Sequence, residues 1–391
     1  MEPIRRAVID VGTNSVKLLV AEVAGHDIRP IREESRQTRL GQGFYDTHRL
    51  RPEAIDATAQ AAAAFAATAR QLQATTIRIF ATSAAREAVN AGELTAAIVR
   101  AAGAQVEVIS GEQEAEWGFR GVTTDRQLAQ TPLLLLDVGG GSSQFTVGQG
   151  EHKSFCHSFP VGTVRLLEQL PHSDPPRPEE LTACRRWLRD FLRKEVRPKL
   201  GPEIEAGDQG VEGRSQNLLT GVLPNTGARL SPAAAHPDLS CGPIDIRPFR
   251  TVVAAAAGDS RAPKPTSALG QHALTSAATA PGGGVQLVGV GGTASILGCM
   301  EAGLETFDRE RLEATHLSAA RVAWHLERLW RLGLAERKQI VGLPKNRADV
   351  ILMGVAIYQA VMEEFALPEL RISTRGLRFA ALMDLPRDSH V

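Results

Sequence analysis

At 391 residues the chain has room for two domains with sizeable cores. Lysine plus arginine and aspartate plus glutamate balance at 44 each, and aromatics make up only 5%; this argues against a general nucleic-acid binder and against a stacking platform for single strands. Cys156, Cys184, Cys241 and Cys299 stand far apart with no Cys-x-x-Cys pair, which indicates neither a disulfide framework nor a zinc site and fits a reducing cytoplasm.

In chain order, Ile4 to Val23 reads as two strands around the turn Asp10-Val11-Gly12-Thr13-Asn14-Ser15, with Lys17 just inside the second strand. The apolar run here is cut by Asp10 and Asn14, too early for a signal-peptide core, and no stretch of the chain approaches the ~20 apolar residues of a membrane span. A soluble cytoplasmic protein is expected. Ile28 to Leu40 adds a third strand. Pro52 opens a helix to Leu72, with Ile55, Ala59, Ala62, Phe65, Ala69 and Leu72 on one face. The β-branched strand Thr76 to Ala81 leads into Thr82-Ser83-Ala84-Ala85-Arg86-Glu87, where Ser83 is expected to cap a helix and to place Arg86 in its first turn. A cation there opposes the helix dipole, a cost that a bound anion offsets. A helix from Glu93 to Ala102 and a strand from Gln105 to Ile109 follow, and this alternation predicts an α/β domain. Ser110-Gly111-Glu112-Gln113-Glu114-Ala115-Glu116 then sets three carboxylates at a helix start just past a strand end, where α/β sheets bind ligands.

Leu133 to Leu136 is a continuous apolar run, as suits a strand covered on both faces. It runs into Asp137-Val138-Gly139-Gly140-Gly141-Ser142-Ser143. Glycines let the backbone approach a ligand closely, and successive N–H groups make an anion-binding concavity. Asp10 and Asp137 occupy equivalent places, so the first two motifs form an internal repeat, and Leu287-Val288-Gly289-Val290-Gly291-Gly292-Thr293 is a third of the same design. A carboxylate beside a phosphate cradle points to a divalent cation.

Strands at Phe145 to Val147 and Lys153 to Pro160 continue the meander, and Val161 to Leu166 enters a helix. Pro178 to Val196 is a helix whose Arg185, Arg186, Arg189, Arg193 and Lys194 form a face for solvent rather than for a polyanion. From about 201 to 284 the composition shifts to Pro, Gly, Ala and Ser, which predicts a low-complexity, disordered insertion whose removal leaves activity mostly intact. Order resumes at Val285. Ser318 caps a helix to Leu332, another covers Arg347 to Phe365, and Thr374-Arg375-Gly376-Leu377-Arg378 leads into a short final helix.

Taken together and in this order, the three glycine motifs, Ser110-Gly111-Glu112-Gln113-Glu114 and Gly376-Leu377-Arg378 resemble the exopolyphosphatase and guanosine-pentaphosphate phosphohydrolase (Ppx/GppA) family in its short form, over about 1–200 and 285–385. The resemblance implies an α/β fold of two duplicated ribonuclease-H-like (actin-like ATPase) domains, 1–124 and 125–391, around an interdomain cleft. It implies one phosphate loop at Gly12, Thr13, Asn14 and Ser15 followed by Lys17, and a second at Gly139, Gly140, Gly141, Ser142 and Ser143. Gly291, Gly292, Thr293 and Arg378 complete the substrate site, with Arg86 facing the cleft. Glu114 inherits the role of catalytic base, and Asp137, with Asp10, that of holding magnesium or another divalent cation. Two positions depart from the family pattern: Gln144 and Gln113 stand where glutamates are common, and an amide is a poor ligand for a hard cation.

The implied function is metal-assisted attack of water on terminal phosphoanhydride bonds of inorganic polyphosphate or guanosine pentaphosphate. A homodimer is the implied assembly, with no nucleic-acid or membrane partner. Two other readings stay open: a sugar or acid kinase of the same superfamily, and a catalytically weak alarmone or nucleotide sensor, which Gln144 favours. The helix start lowers the pKa expected of Glu114 while bound phosphate raises it, so the sign is open at this point.

Overall fold

The computed structural model describes residues 3–208 and 284–384. Strands β1 (Ile4–Val11), β2 (Ser15–Ala24) and β3 (Asp27–Gln37) form an antiparallel meander, because turns this short allow no crossover. The long helix α1 (Pro52–Gln71) supplies the crossover that lets β4 (Thr76–Ala81) lie parallel to β1. Its small residues Ala59, Ala62, Ala66 and Ala69, with Phe65, are buried in the core of this half. Helices α2 (Ser83–Glu87) and α3 (Ala91–Ala102) then lead to β5 (Val106–Val108), parallel to β4. The sheet order is β3-β2-β1-β4-β5.

That order is repeated. After α4 (Gly111–Val122) and α5 (Arg126–Ala129), a second meander forms from β6 (Leu133–Val138), β7 (Ser143–Gln149) and β8 (His152–Phe159). Helices α6 (Thr163–Gln169) and α7 (Pro178–Phe191), a π-helical turn at Leu192–Val196 and α8 (Arg197–Asp208) come next. Further along the chain, β9 (Gln286–Val290) lies parallel to β6 and runs into α9 (Gly291–Ala302). The chain continues through α10 (Arg309–Glu313), β10 (His316–Ser318), α11 (Ala319–Arg331), α12 (Leu334–Arg337), α13 (Ile351–Glu364), β11 (Glu369–Ile372) and α14 (Leu377–Met383). The second sheet reads β8-β7-β6-β9-β11-β10, the first sheet's order with one antiparallel edge strand added. The described residues are the expected pair of duplicated α/β units.

The leucines of β6 divide between two cores. Leu134 and Leu136 join the large core formed with α7, α11 and α13, while Leu133 and Leu135 meet Phe119, Val122, Val288 and Val290 on the other face. Burying each side chain contributes about 1.5–3 kcal/mol, so this strand anchors its sheet from both sides. Between the two sheets α4 and α14 pack on each other. Trp117 of α4 stacks edge-on against Phe80 of the first sheet at 5.3 Å between centroids, and Phe119 faces the second. α14, last in the chain, returns to cover β1 and β2.

Three expectations change. The helix predicted to end at Val196 passes through the π-helical turn and runs on to Asp208, because Val196 and Leu200 continue its buried stripe. Residues 201–208 are therefore helical; the rest of the expected insertion, 209–283, lies outside the described residues. The expected basic face is partly tethered: Arg185 of α7 bonds Glu327 and Gln359, and Arg193 of the π-helical turn shares Glu364 with Arg197 of α8. Among the described residues, Cys156, Cys184 and Cys299 are free, and no helix is long and apolar enough to cross a membrane.

Candidate active site

Both meanders make the same turn. The Gly12 N–H donates to the Ser15 carbonyl at 3.0 Å, and the Gly139 N–H donates to the Ser142 carbonyl at 3.0 Å. Each turn lies at the carboxyl end of a strand flanked by a parallel neighbour, the place where such sheets bind ligands. The two turns touch. Gly141 lies so close to the hydroxyls of Thr13, Ser83 and Tyr45 that a Cβ there would force them to shift.

Of the residues expected at the site, Asp10, Gly12, Thr13, Asn14, Ser15, Lys17, Glu114, Asp137, Gly139, Gly140, Gly141, Ser142 and Gly292 line one chamber of about 60 Å³. A second cavity of about 410 Å³ adjoins it and shares Ser15, Lys17, Asp137, Gly292, Arg347 and Leu377 with it. Gly291 and Arg378 belong to the wall of this larger cavity, beside Ile296, Phe307, Pro344 and Leu377. Gly291 has φ +80°, and its backbone crowds the Asp137 carboxylate, so only glycine suits the position.

Asp10 lies opposite Lys17 across β1 and β2. Burial pushes the Asp10 carboxyl up, against the pull of Lys17, and pushes the Lys17 ammonium down, against the pull of Asp10. Asp137, at the equivalent place, lies opposite Gln144. Its carboxyl is also raised, first by burial and then by Asp10, with Lys17 opposing. The Gln144 Nε2 donates to Ser142 Oγ at 2.9 Å and to Ser158 Oγ at 3.0 Å. An amide donor on its oxygen leaves the Ser142 hydroxyl proton free for a ligand.

Glu114 projects from the first turn of α4, which Ser110 caps by accepting from the Gln113 N–H at 3.0 Å. Arg86 Nη1 donates to Glu114 at 3.3 Å and to the Ile109 carbonyl at 2.9 Å. Burial raises the Glu114 carboxyl to about 8, with Arg86 opposing and Asp137 and Asp10 adding. The helix-start argument alone predicts a low value; desolvation outweighs it.

Four expected residues are placed differently. Arg86 sits in the last turn of the five-residue α2, not its first, and it reaches Glu114 rather than lining the chamber. Ser83 caps nothing; its hydroxyl donates to Glu87 at 3.1 Å. The Ser143 hydroxyl donates to the Val161 carbonyl at 2.6 Å and the Thr293 hydroxyl to the Val138 carbonyl at 2.8 Å, and neither residue lines the chamber. Both secure the second loop from behind. Arg378 donates to the Leu18 carbonyl at 2.9 Å and to Glu33 at 3.1 Å.

One residue was missed. Arg347, in a 3₁₀ turn ahead of α13, lines both cavities and donates to Ser15 Oγ at 3.0 Å. Burial pushes its guanidinium down to about 10, with Asp349 opposing. Periodicity marks this arginine only as a helix start, so no sequence signal points to it. Asn14 has a similar readiness: its Oδ1 accepts from Gln37 at 3.2 Å, while the buried Nδ2 has no partner among the described residues. An unpaired buried donor costs about 1–3 kcal/mol, which a bound anion recovers.

The two aspartates are hard oxygen donors in the lining of this chamber. Magnesium is commonly held by one or two carboxylates, with phosphate oxygens and water completing its shell, so the pair fits such an ion. Among the described residues no group of three His, Cys, Asp or Glu is placed to hold an ion by itself.

The model of the Ppx/GppA phosphatase family matches residues 19–206 and 273–386. Exopolyphosphatase 2 of Mycobacterium tuberculosis is 40% identical over 202 residues, which cover 49% of this chain and 63% of that protein. The match thus spans less than two thirds of that relative's length. An exopolyphosphatase from Cytophaga hutchinsonii shares the fold with a TM-score of 0.68, over 97% of this chain and 96% of its own, at 21% identity. A Ppx/GppA family member from Aquifex aeolicus does so with a TM-score of 0.65 over 97% of both chains, at 23% identity.

Proposed function

The chain belongs to the Ppx/GppA phosphatase family, and from that membership we propose that it removes the terminal phosphate of inorganic polyphosphate or guanosine pentaphosphate by attack of water. The observation that carries this reading is Glu114, held by Arg86 in the wall of a chamber that it shares with both glycine loops, Lys17 and Arg347, its carboxyl raised by burial to about 8. A general base works best when its pKa lies near the operating pH.

Phosphoryl transfer asks the protein for positioning, charge balance and an oriented nucleophile. Loop N–H groups, the Asn14 amide and the Ser142 hydroxyl donate to the oxygens of the terminal phosphoryl group, and Lys17 and Arg347 balance its charge. Glu114 takes the proton of the attacking water, and Arg86 holds that carboxylate and favours its ionised form. A magnesium ion on Asp137 and Asp10 would supply Lewis-acid polarisation of the anhydride. The remainder of the substrate extends into the 410 Å³ cavity, whose Ile296, Phe307, Pro344 and Leu377 offer apolar walls for a nucleoside end. In this reading the domains are 1–124 and 125–391, with α14 crossing back to the first.

The test is phosphate release from long polyphosphate, tripolyphosphate and guanosine pentaphosphate, with and without magnesium and with no acceptor present. Release supports the hydrolase. Transfer that requires an added sugar or acid acceptor would replace it with a kinase, and tight binding without release would replace it with a sensor.

A further inference from the structure

We propose that Arg165 is a positioning residue that couples the second phosphate loop to the catalytic base, a role that rests on the phosphohydrolase reading above. Arg165 lies in the first turn of α6 and is 8% exposed. Its Nε donates to the Gly141 carbonyl at 2.7 Å. Its Nη2 donates to both carboxylate oxygens of Glu87 at 2.7 Å each. Its guanidinium lies over the Tyr45 ring at 4.1 Å. Arg165 does not line the chamber, so it acts on substrate only through these partners.

What those partners hold gives the contact its meaning. Glu87 ends α2, and it also accepts from Ser83, which does line the chamber. Its neighbour Arg86 bonds Glu114. A chain of bonded groups therefore runs from Gly141 through Arg165, Glu87 and Arg86 to Glu114. In the phosphohydrolase reading one end, in the β6–β7 turn, cradles phosphate, and the other, on α4, takes the proton. One turn further along α6, Glu168 accepts from the N–H groups of Gly43 and Tyr45, so the same helix also grips the loop that carries the stacking ring. Short, charge-assisted bonds in a rigid planar fork define position in a way that a lysine ammonium does not. An error of about 1 Å between base and reacting atom can cost on the order of 10² in rate.

The test uses the full chain with R165Q, R165K, E87Q and the double variant R165Q/E87Q, read by steady-state phosphate release and by amide hydrogen exchange. R165Q is expected to lower kcat about 10- to 100-fold with KM changed less than about threefold. R165K keeps the charge without the fork and falls between. The double variant loses about as much as R165Q alone, because both changes cut one link. Exchange should quicken at Gly139 to Ser143 and at Ala84 to Glu87 while β1 stays protected. If R165Q does not fold, R165K and E87Q carry the same comparison. Unchanged kcat, additive losses, or a loss that tracks a general rise in exchange would overturn the role. A wild-type protein that releases no phosphate would sink the functional reading instead, and the exchange pattern would still decide whether Arg165 couples the two segments.

Discussion

Asp10 faces Lys17 across the first hairpin, and Asp137 faces Gln144 across the second, at the same spacing and in the same register. The turns beside them close with the same hydrogen bond. After the last parallel strand of each sheet comes a helix, α4 in one half and α14 in the other, and the two pack together. Duplication thus supplied each position twice, and the side chains then diverged. The first half carries the Lys17 ammonium and the helix that bears Glu114. The second half carries an amide beside its aspartate, and its helix offers Leu377 and Arg378. Backbone geometry sets where a group stands; the identity of the residue sets which chemical group each half presents there.

The sharpest break in that asymmetry is Glu114→Gln. It should lower turnover by about 10² to 10⁴ while polyphosphate binding persists. Wild-type phosphate release from the purified variant would remove Glu114 from the role.

Lys17→Gln comes next, since it gives the first hairpin the chemistry of the second. Losing a charge-assisted hydrogen bond of about 1.5–3 kcal/mol predicts a drop of roughly 10- to 100-fold in kcat/KM. An unchanged value would put the ammonium beyond the substrate's reach.

Arg86→Gln removes a cation that lowers the Glu114 pKa. The carboxyl then stays protonated to higher pH, and the rising limb of kcat/KM against pH should move in the alkaline direction; a shift toward acid would contradict the pairing. The same carboxyl affects stability. Its folded pKa is raised from 4.5 to about 8, so the native state holds the proton more tightly than the unfolded chain. Stability is lost as pH rises through that window. Glu114→Gln should therefore melt like wild type near pH 4 and a few degrees higher near pH 9, a difference that calorimetry resolves.

The smallest effect is expected from Gln144→Glu, which puts a second carboxylate opposite Asp137. Half-saturation by magnesium should fall, because a hard oxygen replaces an amide. The metal-free variant should also be less stable by about 0.5–1.5 kcal/mol for each amide bond lost. Tighter magnesium activation without that loss would show that the two serine contacts carry no stability.

Much of the fold was readable in advance because its signals are local. Leu133 to Leu136 announced a strand with two covered faces, and both cores receive it. The repeated Asp-x-Gly pattern announced equivalent turns, and the backbone closes them alike. α8 was not legible, because Pro202 and nearby glycines mask a stripe that Val196 and Leu200 extend by burial.

The candidate site divides the same way. Asp10 and Asp137 each stand beside a glycine turn encoded within a few residues, so the local motif marked them; the helix start marked three carboxylates together, and the family resemblance singled out Glu114 among them. The chain alone also determined the α/β class and the duplication, since strand and turn preferences are properties of short segments. Arg347, Arg165 and the paths that bind them to Ser15, Gly141 and Glu87 were decided only by tertiary structure. So were the diversion of the Ser143 and Thr293 hydroxyls to backbone carbonyls and the raised pKa of Glu114. Each depends on desolvation and on partners brought together from distant positions, and neither burial nor a long-range partner is a property of a short stretch of chain.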